Sequence, residues 1–378
     1  RSVLTKHDDE WRFTRLRGRF GDSDLAGRLT VALKERLKLD ATLATQSLDL
    51  VDAGPLVGYD PERLDATGGK VVRTEGGTPR ILPDAPLKVD AIRGFDADVH
   101  WTVRRIAGDK WPISNIDLTL DLDHSLLKLS PLTFDLDRGH VASDVSIDAR
   151  RKPVFTRLDL RLSPTPMGRL LKGFGVEEAG TTGTLKARAQ LAGPGDSIRA
   201  WLGNADGRIA IIMPQGSLWA RNVQLSELDI GTFIWKMWEK KLKEPVEINC
   251  GLIAFTVRNG IAAADPILID TKKNVILGRG GFSFRNEALD LRIRADGKRF
   301  SLFSGQSPVG IGGYFAAPKL DVISPQLIAR GGAGLGLGAV VSPLASVLAF
   351  VDIGDAKAAA CGPVLAGAHA SAQRTRGG

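Results

Sequence analysis

Ile116-Asp117-Leu118-Thr119-Leu120-Asp121-Leu122-Asp123 alternates strictly between apolar and polar residues. Successive side chains of an extended strand point to opposite faces. Ile116, Leu118, Leu120 and Leu122 therefore share one side, and Asp117, Thr119, Asp121 and Asp123 the other. The layout recurs. Leu158, Leu160 and Leu162 oppose Arg157, Asp159 and Arg161. Leu185, Ala187, Ala189 and Leu191 oppose Lys186, Arg188 and Gln190, and Leu289, Leu291 and Ile293 oppose Asp290, Arg292 and Arg294. Strands with one apolar and one charged side build antiparallel sheets with a wet face; strands covered on both sides are apolar throughout. The chain reads as mainly β.

Turn signals separate the strands: Gly68-Gly69, Gly76-Gly77, Gly193-Pro194-Gly195, Asn259-Gly260 and Gly312-Gly313. Asn259-Gly260 is a two-residue hairpin signal. Gly278 and Gly280-Gly281 read as a tight turn between strands. Glycine supplies 43 of 378 residues, well above the usual share of about 7%. A glycine followed by an alternating hairpin recurs near Gly27, Gly183, Gly207, Gly280 and Gly312, at spacings too irregular for a propeller. The pattern is a long meander. With 43% hydrophobic and 25% charged residues, the composition excludes a disordered tail and a collagen-like repeat.

Three segments depart from period two. Ser163 to Phe174 reads as a short helix with Ser163 as its cap. Residues 226–244 read as a longer helix capped by Ser226, with Glu227 and Asp229 in its first turn and Lys240, Lys241 and Lys243 in its last. Its Phe233, Trp235 and Trp238 either close an apolar interior or touch a membrane surface. Leu335 to Ile353, rich in Gly and Ala and interrupted by Pro343, reads as a packed or re-entrant helix pair.

Catalytic patterns do not emerge. His7, His100, His124, His140 and His369 form no HExxH, and no GxSxG elbow or P-loop occurs. Asp117, Asp121 and Asp123, and likewise Asp135 and Asp137, read as solvated strand faces, so neither a metal nor another cofactor is expected. The net charge of +8 permits anionic partners. The basic residues are nevertheless interleaved with acids and form no single stripe, so nucleic acid is not an expected partner. Two cysteines, Cys250 and Cys361, lack zinc spacing and read as buried thiols or as one disulfide.

An apolar sheet face must be covered, and helices here are few. The sheet either packs on itself or curls into a trough filled by a ligand with long hydrocarbon parts. Burying each CH₂ of such a ligand is worth roughly 0.8 kcal/mol.

The second half, roughly residues 206–365, resembles the C-terminal region of the AsmA family, bacterial envelope proteins related to TamB. Trp238-Glu239-Lys240-Lys241 leads to Asn249-Cys250-Gly251-Leu252 and Val257-Arg258-Asn259-Gly260. Leu268-Ile269-Asp270-Thr271-Lys272 and the stretch Gly278 to Arg294 follow. Next come Lys298, Ser301-Leu302, Ser307-Pro308-Val309, Gly312-Gly313-Tyr314-Phe315 and Pro318-Lys319-Leu320. The apolar tail carries Pro343, Leu344, Ala345, Asp352 and Cys361. Residues 1–200 resemble the family in their strand-rich meander.

The resemblance implies an elongated antiparallel sheet curled into a taco-like groove, with a few short helices and a helical C-terminal cap. It implies residues 1–205 as a groove segment, 206–330 as the family's C-terminal-like β region, and 331–378 as an apolar cap and basic tail. It further implies a non-enzymatic periplasmic protein of outer-membrane assembly whose partner is phospholipid. The intact protein would be held in the inner membrane by an N-terminal anchor absent here. The groove lining would be Leu118, Leu120, Leu122, Leu158, Leu160, Leu162, Leu185, Leu289, Leu291 and Ile293. The oxidising periplasm favours a Cys250–Cys361 disulfide. The alternative is an envelope scaffold that meets outer-membrane components by strand pairing.

Overall fold

The computed structural model describes residues 1–49, 52, 73–75, 77–84, 87, 89, 93–107, 113–136, 138–170, 179–219, 245–297 and 309–322. The chain forms two compact units. The first comprises Arg1–Arg73, Ile81–Ser163 and Ala189–Gly207; the second comprises Thr74–Arg80, Pro164–Arg188 and Arg208–Gly378. The protein is mainly β, and its sheet is mixed.

In the first unit the strands are β1 (Val3–His7), β2 (Glu10–Phe20), β3 (Ser23–Leu33) and β4 (Leu37–Thr45). After a short two-stranded excursion, β5 (Arg73–Glu75) and β6 (Thr78–Arg80), come β7 (Phe95–Arg105), β8 (Ile113–Asp123), β9 (Leu126–Leu136), β10 (Gly139–Asp148) and β11 (Phe155–Pro166). Neighbours pair antiparallel from β1 to β4 and from β7 to β11. A parallel ladder joins β4 to β7, Leu37 opposite Phe95 through Thr45 opposite Val103. A parallel pair cannot be closed by a two-residue turn, and residues 46–94 supply the crossover. The alternation around Leu118 holds: Asp121 and Asp123 are exposed, and Leu122 is 3% exposed.

Then follow helix α1 (Met167–Leu170), β12 (Thr184–Pro194), helix α2 (Ile198–Gly203) and β13 (Asp206–Met213). The second unit continues with β14 (Gly216–Leu218), β15 (Val246–Arg258), β16 (Ile261–Thr271), β17 (Asn274–Ser283), β18 (Leu289–Gly297), β19 (Val309–Tyr314) and β20 (Ala317–Val322). Successive strands from β14 to β20 pair antiparallel. Asn259 (φ 52°) and Gly260 (φ 74°) turn β15 into β16 as expected, with Arg258 opposite Ile261. On β18 the apolar Leu289, Leu291 and Ile293 alternate with exposed Arg292 and Arg294.

Four expectations need correction. The helix expected over 163–174 is shorter: β11 continues through Pro166, and α1 begins at Met167. Ser163 caps no helix; its Oγ accepts the His140 backbone N–H at 2.9 Å. Pro164 and Pro166 have no N–H to give a ladder, and they stand where β11 ends. Gly278, Gly280 and Gly281 make no turn but lie inside β17. A Cβ at Gly280 would stand 2.0 Å from the Asp290 carbonyl oxygen, and one at Gly281 1.9 Å from that of Ala262. These glycines admit neighbouring backbone, beside a register shift between Ala263 and Ile267. Arg188 is 7% exposed rather than solvated. Finally, β15 has no wet side at Cys250–Phe255, where all but Ile253 are buried. The run is apolar throughout, as double-sided burial requires.

Within the second unit Phe282 meets Phe255, Phe284 and Phe315 edge-on, with ring centroids 5.0, 5.1 and 5.6 Å away. The helix expected over 226–244 and the apolar cap and tail lie outside the described residues. Among the described residues no helix is long and apolar enough to cross a membrane.

Candidate functional site

The registers of the first unit align the apolar side chains of separate strands into rows. One row runs Phe13, Leu29, Ala41, Val99, Leu120, Leu129, Val145, Leu158, from β2 to β11 across eight strands. All eight residues are half-buried. The adjacent row runs Leu16, Gly27, Leu43, Trp101, Leu118, Leu132, Ser143, Leu160. In it only Ser143 is buried. A closed core would bury such residues completely. The rows form an apolar lane that protein atoms cover only in part.

One end of the lane is packed. Leu48, Val103 and Ile106 are buried there, with Phe20, Trp101, Ile113 and Ile116 against them. The Trp101 indole N–H donates to Thr45 Oγ1 at 3.0 Å. Gly27 belongs to the lane for a steric reason: at φ 144° a Cβ would lie 2.1 Å from the Thr42 carbonyl oxygen.

The opposite face carries cross-strand polar pairs. His100 Nε2 meets Asp117 at 2.9 Å, Lys128 meets Asp121 at 3.5 Å, and His140 Nδ1 meets Asp135 at 2.9 Å. Asp135 is held below the usual carboxylate range, first by the Asn115 amide donor and then by His140. Arg161 reaches both Asp144 and Asp159. A shallow depression of about 530 Å³ near the β10–β11 edge is lined among others by Lys128, Asp144, Val145, Leu158, Asp159 and Leu191. Asp96, Asp123 and His124 come close enough together to share a cation. Arg36 instead donates to both oxygens of Asp96 at 3.1 Å, and this is the main cause of that carboxyl's lowered pKa.

Of the ten residues expected to line a groove, Leu118, Leu120, Leu158 and Leu160 lie in the two rows above. Leu162 is paired with Val141 and Leu122 with Ala97 on the same side. Leu185, on β12, is buried. Leu289, Leu291 and Ile293 are half-buried on β18 of the second unit. Phe233, Trp235, Trp238 and Cys361 lie outside the described residues. Cys250, on β15, is 2% exposed and disulfide-bonded. The lane positions on β2, β3, β4, β7, β9 and β10 were not singled out in the sequence. Their own alternation is the signal that could have found them, as in Trp11-Arg12-Phe13.

The family profile that matches this chain is that of the AsmA family, over residues 3–266. AsmA family protein YhjG of Escherichia coli (strain K12) is 30% identical over 358 residues, which cover 92% of this chain and 51% of the relative. The chain thus spans about half the length of that curated relative. No solved structure matches. The profile covers the lane strands, although the motifs that carried the resemblance lie mostly further on. On this match the chain belongs to the AsmA family.

Proposed function

We propose that this chain is the lipid-handling part of a non-enzymatic envelope protein, located in the periplasm and held in the inner membrane by a segment outside this sequence. Its lane lies along a taco-like groove and takes the acyl chains of phospholipid. The carrying observation is the half-burial of the whole row from Phe13 to Leu158. A contiguous apolar surface left partly open marks a binding surface more often than an idle one. Membership in the AsmA family supports an envelope role. The lane's packed end favours a ligand lying along it over one passing through the sheet.

Lipid extraction and native mass spectrometry of the purified chain test this reading. The expected result is co-purifying phospholipid, lost on Leu118→Asp with Leu120→Asp while circular dichroism keeps its β signal. A wild-type chain that is reproducibly free of lipid overturns it. A second reading is favoured by β1, which is exposed along its whole length: a scaffold that pairs its strand edge with outer-membrane protein strands. Crosslinks to β-barrel precursors, with no lipid recovered, would support that reading instead.

A further inference from the structure

The first hairpin gathers what the sequence seemed to scatter. On β2, Arg12, Arg17 and Arg19 alternate with the lane-side Trp11, Phe13, Leu16 and Gly18, and Arg15 (φ 53°) sits where the register shifts between Phe13 and Leu16. On β3, Arg28 lies between lane residues Gly27 and Leu29. Arg12, Arg17, Arg19 and Arg28 therefore share the face opposite the lane, and they and Arg15 are all exposed. Arg12 is paired with Glu10, and Arg28 donates to Thr42 Oγ1 at 3.2 Å. Among the described residues Arg15, Arg17 and Arg19 have no ion pair. The nearest acid across the ladder, Asp24 opposite Arg19, accepts the backbone N–H groups of Gln46 and Ser47 and is also acted on by the Arg19 charge, so Arg19 is partly balanced while Arg15 and Arg17 face no acid across the ladder. Asp8, Asp9 and Glu10 stand at the other end of the hairpin. Val3, opposite Thr14 and so on the arginine face, is 48% exposed.

We propose that this arginine face docks on an anionic phospholipid bilayer. The charge is complementary, and an exposed aliphatic residue among arginines suits the headgroup boundary. Nucleic acid fits less well, because a strand-bound base needs a stacking ring and Trp11, Phe13 and Phe20 belong to the opposite side. This docking goes beyond the carriage of lipid along the lane and does not depend on it.

Vesicle flotation of the full chain tests it, using phosphatidylcholine vesicles with and without phosphatidylglycerol. Flotation is expected with the anionic vesicles and not with phosphatidylcholine alone, and it should fade as salt is raised. The triple variant Arg15→Gln, Arg17→Gln, Arg19→Gln should weaken partitioning by roughly a hundredfold, at about one kcal/mol per arginine near the surface. The matching triple change to Lys should retain it. Equal flotation of the Gln variant, equal flotation on neutral vesicles, or tighter binding to a single-stranded oligonucleotide than to the anionic vesicles would each overturn the proposal. The two readings fail separately. The Leu118→Asp, Leu120→Asp chain should lose carried lipid and still float; the Gln variant should keep carried lipid and stay in solution.

Discussion

At the scale of single residues, acid sensitivity follows from a few carboxylates. Asp148 is 7% exposed and accepts the Arg150 guanidinium Nε–H at 2.7 Å, which holds its carboxyl below the usual range. Asp24 is lowered by the N–H groups of Gln46 and Ser47, and Asp96 chiefly by Arg36. In the unfolded chain such groups titrate near 4. Their folded values lie lower, so the stability they lend is complete above about pH 4 to 5 and is lost as pH falls through the folded values. Melting temperature should therefore hold steady from neutral pH to about 5 and drop below. Asp148→Asn should cost about 1 kcal/mol at neutral pH, a modest value because Arg150 is half exposed and water screens the pair. The cost should shrink in acid; a cost independent of pH would contradict this account.

At the scale of elements, strands distribute glycine by what passes beside them. Gly27 and Gly18 sit on the neighbouring strands β3 and β2 with opposite surroundings. Gly27 has positive φ and backbone 2.1 Å from any Cβ, whereas nothing lies within 4 Å of a Cβ at Gly18. Gly27→Ala should destabilise by roughly 1–3 kcal/mol or more, and Gly18→Ala should be tolerated; urea titration of the two variants compares them directly. Gly280→Ala, at φ 94°, should behave like Gly27→Ala. This also explains how much was legible. Period-two alternation marks β8, β11 and β18 because one wet face leaves its imprint on each strand. A turn and a close strand crossing both demand the absence of a Cβ, so Gly278 to Gly281 reads equally as either. The His124-Ser125 turn, with φ of 45° and 66°, carries no glycine signal at all. The lane was half legible for a related reason: a strand shows which residues share its face, but the row from Phe13 to Leu158 exists only through register between strands.

At the scale of the whole molecule, the disulfide of Cys250 makes a claim on the chain's C-terminal part. The sequence holds one other cysteine, Cys361. We expect the two to be joined, closing a loop whose chain-entropy contribution is about 4–5 kcal/mol before strain. Thiol titration of the denatured, unreduced chain should find no free thiol, and reduction should lower the melting temperature; two free thiols would refute the pairing. The family's imprint is likewise distributed. Motifs are dense after Cys250, while the profile matches residues 3–266.

The excursion of residues 74–80 bears on the order of events in time. These residues belong with the second unit although the chain on either side of them belongs to the first. Arg80 donates to the carbonyl of Arg285, 205 positions later. During synthesis β6 can pair with β5 at once, but it emerges long before Arg285 exists and must wait for that contact while most of the first unit's strands are made. Cutting the chain anywhere between these positions separates the excursion from Arg285, so the second unit is left incomplete whichever half is kept. Assembly is finished only when the late strands arrive.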